Sequence, residues 1–135
     1  MEILSMERNF EMVQLNEESL VSLTQAVSVN PKHADYLNRA LVACNAYVDA
    51  VNRSILAIRS AYLHLDGEAL REAVSNADSD RNSAHNNAIA NVRLIENMAS
   101  KYGISPVFLG DINDRLQVAD FCLDVSNHLF QNRTR

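Results

Sequence analysis

Arg81 and His85 are the two side chains in this 135-residue sequence best suited to chemistry on an anion. They sit four positions apart in the polar run Ser75-Asn-Ala-Asp-Ser-Asp-Arg-Asn-Ser-Ala-His-Asn-Asn87. A guanidinium clamps phosphate or carboxylate oxygens, and an imidazole moves protons near neutral pH. Asp78 precedes Arg81 by three residues, so on a helix Asp78, Arg81 and His85 share a face. The neighbouring apolar positions Leu70, Val74, Ala77, Ala84 and Ala88 set a phase that turns Arg81 inward. If the chain folds back at Asp66-Gly67, Arg81 comes level with Asn52, and His85 with Val48 and Asp49. The expectation is a polar layer of Asn45, Asp49, Asn52, Asp78, Arg81 and His85 across an apolar bundle. Asp49, Asn52, Asp78, Arg81 and His85 are the candidate ligand-binding residues within it. A buried layer needs every group paired, because an unpaired buried charge costs several kcal/mol. A salt-bridge network that fixes helix register is the leading reading, with a solvated face and an open binding or catalytic pocket as alternatives. No residue is assigned as catalytic.

Other chemistries find less support. His33, His64, His85 and His128 stand alone, without an HxxxH or ExxH pairing of the di-iron kind. A cation on Asp78, Asp80 and His85 is the nearest approach to a metal site, and neither metal nor other cofactor is expected. No Ser or Cys stands in a nucleophile elbow or beside a plausible base. Cys44 and Cys122 lack a CxxC partner and fall among apolar neighbours, so both are read as reduced core residues.

The net charge of -5 supplies no basic field for a phosphate backbone, and the basic residues, ten Arg and two Lys, are spread along the chain. Nucleic acid is a poor partner on this ground. The opening Met-Glu-Ile-Leu-Ser-Met-Glu-Arg carries acids where a signal peptide carries bases, which predicts a cytoplasmic protein. The apolar run from Ala40 to Val48 falls well short of the ~18 residues that a membrane span requires.

Helices must position these residues. With three Gly and two Pro, the chain has few places to turn. Asn30-Pro31, Asp66-Gly67 and the stretch from Tyr102-Gly103 to Gly110-Asp111 divide it into four segments. The prediction is a single all-α domain over residues 1–135, an antiparallel up-down bundle of four helices with a long second and third helix. Segment one spans about Ile3 to Val29 on Ile3, Met6, Phe10, Val13, Leu20 and Val27.

Segment two, about Lys32 to Leu65, carries a heptad seam of Leu37, Leu41, Cys44, Val48, Val51, Ile55, Ile58, Tyr62 and Leu65. Beside it runs a stripe of mostly small residues, Ala40, Ala43, Tyr47, Ala50, Ser54, Ala57 and Ala61. Unbroken, that helix would be about 50 Å long. Asn38, Asn45 and Asn52 recur every seven residues at its edge, a pattern suited to hydrogen bonds between helices. Segment three runs from about Glu68 to Tyr102. Segment four runs from about Asp111, read as its N-cap, to Gln131, with Arg115 and Asp114 facing outward or back along the first turn. Val107, Phe108 and Leu109 in the third connection are expected to plug one end of the core, with a small sticky surface as the alternative. Two apolar stripes on one helix need more cover than a short fourth helix supplies. That predicts a self-associating interaction protein, a homodimer, with an unidentified protein partner as the other possible cover.

Two resemblances bear on these residues. The Arg81-to-His85 pair resembles the Arg-polar…His motif of helical-bundle ribonucleases, which implies action on a phosphodiester; here three residues separate the pair where that family has four to six, and the motif is not in the last helices. The set Asp80-Arg81 through His85, Ala88-Ile89, Tyr102-Gly103, Pro106, Gly110-Asp111, Arg115, Ala119-Asp120-Phe121 and Leu129-Phe130 resembles small bacterial all-helical proteins grouped as a domain of unknown function. That second resemblance, over the C-terminal half, implies a helical fold and a bacterial cytosol and no activity. A small-ligand-binding or hydrolytic bundle, including a toxin-type ribonuclease, stays as the alternative function.

Overall fold

The computed structural model describes residues 13–133, with side chains described to Leu129. Four helices follow in order: α1 (Glu17–Val27), α2 (Pro31–His64), α3 (Gly67–Lys101) and α4 (Arg115–Arg133). They form the all-α bundle expected, and the second and third helices are the long ones, at 34 and 35 residues. The expectations for Ile3, Met6 and Phe10 lie outside the described residues.

Local chemistry places the helix ends. Asn16 caps α1, its side-chain oxygen accepting from Ser19 N at 3.2 Å. Asn30 caps α2 through Lys32 N and His33 N, with Pro31 at the first helical position, where its missing N–H costs nothing. Gly67 takes φ +55 to turn the chain from α2 into α3. At the other end of α3, Gly103 takes φ +69 while Ile104 N donates to Ala99 O at 2.8 Å, closing a Schellman-type stop.

Two expected boundaries move. Segment one is not one helix from Ile3, because Val13 to Asn16 is extended and α1 begins at Glu17. Segment four starts later than Asp111, since Asp114 caps it by accepting from Leu116 N and Gln117 N. Asp111 instead accepts from Asn113 N inside the preceding turn.

The extended stretch has partners far along the chain. Leu15 forms an isolated antiparallel bridge with Phe108, Asn16 N donates to Val107 O, and Leu109 N donates to Gln14 O, each bond at 2.8 Å. Two carboxylates complete the hydrogen bonding. Glu96 of α3 accepts from Val107 N and Phe108 N at 2.9 and 3.0 Å, and Asp124 of α4 accepts from Gln14 N and Leu15 N at 3.0 and 3.3 Å. Val107 and Phe108 are thereby driven into the core as the sequence suggested, while Leu109 stays outside. Gly110 passes so close to Gln14, Gln117 and the Phe108 ring that a Cβ there would meet all three within 2.9 Å.

The spine of the molecule is the antiparallel α2–α3 hairpin, with α4 lying mainly along α2 and α1 against both hairpin helices. A short link between His33 Nδ1 and Tyr102 Oη, at 2.5 Å, ties the start of α2 to the end of α3. The core gathers Leu20 and Leu23 of α1, Leu37, Leu41, Cys44, Val48 and Val51 of α2, Val92 and Ile95 of α3, and Val118, Phe121 and Val125 of α4. Every residue from Val118 to Ser126 is buried, so this stretch of α4 is enclosed around its whole circumference. By length and mean hydropathy α2 alone among the described helices could cross a bilayer, and here its apolar face forms the centre of the bundle. Cys44 and Cys122 are free, buried thiols facing one another; the hydrogen bond between them, then burial, push the Cys122 thiol well above its usual range.

One half of the α2 seam is covered and the other is not. Leu37, Leu41, Cys44, Val48 and Val51 are buried, Ile55 and Ile58 are half-buried, and Tyr62 and Leu65 are 65% and 42% exposed. The small-residue stripe also divides. Ala40, Tyr47, Ser54 and Ala61, spaced by seven, are buried; Ala43 and Ala50 are half-buried and Ala57 is exposed.

Candidate functional site

The residues of the expected polar layer are dispersed in the structure. The fold-back at Asp66-Gly67 brings His85 level with Tyr47, within a residue of the expected register, and Tyr47 Oη lies 3.2 Å from His85 Nδ1. Asp49 is exposed and does not join them. Two residues along a helix is a rotation of about 200°, so with Tyr47 turned inward Asp49 must point outward. Arg81 is half-exposed rather than sealed in the seam, and its Nη2 donates to Asp78 Oδ1 at 3.1 Å. Asn45 reaches α4, accepting from the Ser126 hydroxyl at 2.5 Å. Asn52 is half-buried, and its side-chain oxygen has no hydrogen-bond partner among the described residues.

Two residues that the sequence did not single out complete the cluster. Tyr47, on the small-residue stripe, forms the floor beside His85, with ring centroids 5.7 Å apart. Arg115, at the first position of α4, comes back over α3, and its Nη2 donates to Asn82 Oδ1 at 2.6 Å. Tyr47, Val51, Arg81, Arg115, Leu116 and Ala119 line a cleft of about 310 Å³, with His85 behind Tyr47. The signal for Tyr47 was its place in the seven-residue repeat with Ala40, Ser54 and Ala61. For Arg115 no local pattern pointed inward, because its position follows from where the 103–114 connection delivers α4.

Electrostatics agree with that geometry. Burial raises the Tyr47 hydroxyl above its usual range, with Arg115 and Arg81 pulling the other way. Burial, then the charge of Arg115, lower the His85 imidazole, so it is neutral in the folded protein at neutral pH. An unfolded His takes up a proton near pH 6.5 and folded His85 does so at lower pH. The unfolded state therefore binds more protons between those values, and this contribution to stability, full above about pH 6.5, is lost as pH falls through the folded value. Urea denaturation at pH 7 and pH 5 should show a larger loss of stability in the wild type than in His85→Gln. An equal loss would mean that His85 is not held neutral by its surroundings.

Among the described residues no group of three or more His, Cys, Asp or Glu could hold a metal ion. The class defined by this fold and cluster is a small four-helix bundle with a long central hairpin and a basic cleft at mid-height. Residues 6–135 match the family model described as "Protein of unknown function (DUF3232)", and the chain belongs to that family. The match covers nearly the whole chain, beyond the C-terminal half that the resemblance marked. No curated protein and no solved structure matches it.

Proposed function

We propose that the protein acts by self-association, as a cytoplasmic homodimer and a non-enzymatic interaction module, joined through the distal half of the α2–α3 hairpin. The observation that carries this reading is the interrupted cover of the α2 seam. α4 reaches only as far as Val51 and Arg81, yet the heptad pattern runs on through Ile55, Ile58, Tyr62 and Leu65, with Leu70 and Val74 half-buried on α3 alongside. A seam of this kind is stable in water when a second set of helices closes it.

Charge favours a second copy as the occupant. The distal part of α2, from Ala50 to His64, contains Arg53 and no acid, whereas the first turns of α3 carry Glu72 beside the Glu68–Arg71 ion pair, 2.7 Å apart. A two-fold axis would lay α2 of each protomer on α3 of the other, opposing unlike charges twice over. The hydrolytic alternative is weaker, because His85 is packed behind Tyr47 and Asp49 points away.

Light scattering coupled to size-exclusion chromatography tests the reading. A mass about twice the 15.1 kDa of one chain is expected at micromolar concentration. The double variant Tyr62→Glu/Leu65→Glu should run as a monomer with unchanged helical circular dichroism. A strictly monomeric wild type would overturn the proposal.

A further inference from the structure

The cleft at mid-height does something that self-association does not require. It brings two guanidinium groups from different helices to one small, partly apolar space. Arg115 is steered there by a neutral amide, Asn82, at 2.6 Å, so its charge is oriented without being cancelled by that contact. Arg81 meets Asp78 through Nη2, and both are partly exposed, at 36% and 47% of their side chains. A guanidinium has five N–H donors, so a single contact leaves Arg81 able to bind a further acceptor. The remaining walls are Tyr47 and the apolar side chains of Val51, Leu116 and Ala119. The lining contains no carboxylate.

We propose that this cleft binds a small organic oxyanion, a phosphate monoester or carboxylate borne on an aromatic or apolar body, with Arg115 and Arg81 as the clamp and Tyr47 as the hydroxyl partner. Arg is suited to the task because its planar fork matches the oxygens of either group. The apolar wall selects against a bare inorganic anion and gives the body of the ligand a surface to cover. At about 310 Å³ the space sits at the small end of ligand pockets, which limits the body to about one ring. The Tyr47 hydroxyl lies against His85 Nδ1; if that nitrogen carries the proton and donates it, the tyrosine proton is left to point at the anion.

Isothermal titration of the full chain with phenyl phosphate, benzoate and benzyl alcohol at low salt tests this. Saturable binding of phenyl phosphate or benzoate is expected, the stronger of the two identifying the anion, with benzyl alcohol showing none. Arg115→Gln should weaken the anion at least about tenfold, as should Arg81→Gln, since each removes a charge-assisted contact. Arg93→Gln, on another face of α3, should leave binding unchanged. Arg115 is exposed and its loss should not unfold the chain, which a thermal melt of the same sample checks. No saturation by about 10 mM, weaker than such contacts supply, would overturn the proposal. Equal binding of benzyl alcohol, or wild-type affinity in both Arg variants, would do so as well.

Discussion

Phe121→Ala is expected to lower the free energy of unfolding by about 4 kcal/mol, the cost of emptying the site of a fully buried aromatic ring. Phe121 is the largest fully buried side chain among the described residues. Its ring lies 5.0 Å from that of Phe108, tilted by 58°, within the range where paired rings gain energy beyond simple burial. The contact joins α4 to the connection that precedes it, so truncation loosens both. Collapse around the void is resisted because Val118 and Val125, one turn away on α4, and Val107, fixed through its backbone to Glu96, are themselves fully buried. In urea the midpoint should fall with little change in slope, and in a thermal melt the transition should drop by roughly 10–20 °C. Phe121→Leu, which refills most of the volume, should cost about 1 kcal/mol. A loss in Phe121→Ala no larger than that of Phe121→Leu would mean that the α4 interface is not close-packed.

The same region shows what a sequence reveals of such a fold and what it does not. Helix ends were legible because their chemistry is local: Asn30-Pro31 both caps and starts α2, and Gly67 and Gly103 supply the only positive φ angles among the described residues. The long hairpin was legible because the apolar period in α2 and the turn at Asp66-Gly67 fix each other, and the predicted height of His85 was right to within one residue. Which residue faced it was harder. Asp49 has the charge that suits His85, but rotation about α2 is decided by the buried repeat of Ala40, Tyr47, Ser54 and Ala61, and that repeat turns Tyr47 inward. Small side chains outweigh a charged one because they set how closely two helices can approach. The exposed end of the α2 seam was hidden for another reason. Periodicity shows that Ile58, Tyr62 and Leu65 share a face with Leu37 and Leu41, and says nothing about how far α4 reaches along it.

Least legible was the strap at Val13 to Asn16. Leu15 and Phe108 lie far apart in the chain, and the groups that join their segments are backbone amides that every residue possesses. The two carboxylates that receive those amides, Glu96 and Asp124, look in the sequence like ordinary polar positions on helices. Asp124 is nonetheless 9% exposed, in a helix stretch that is buried on every side. A charged side chain is tolerated at such a site when donors converge on it, and Gln14 N and Leu15 N do so.

Asp124→Ala should therefore be costly out of proportion to the size of the side chain, at about 3 kcal/mol, because both amides lose their acceptor while Gln14 and Leu15 themselves are buried. Asp124→Asn retains one oxygen able to accept from both amides and gives up the charge assistance, so it should lose about half as much. The two variants separate a hydrogen-bonding role from a packing role, since Asn and Asp fill nearly the same space. Hydrogen exchange adds a local readout. In Asp124→Ala, protection should fall most at Gln14, Leu15, Asn16 and Leu109, the amides of the strap and its bridge, and much less at Val92 and Ile95 in the middle of α3. Uniform loss across all of these would mean that the strap and the bundle open as one unit. Loss confined to the strap would make residues 13–16 and 107–109 a separately unlocking latch, held to α3 by Glu96 and to α4 by Asp124.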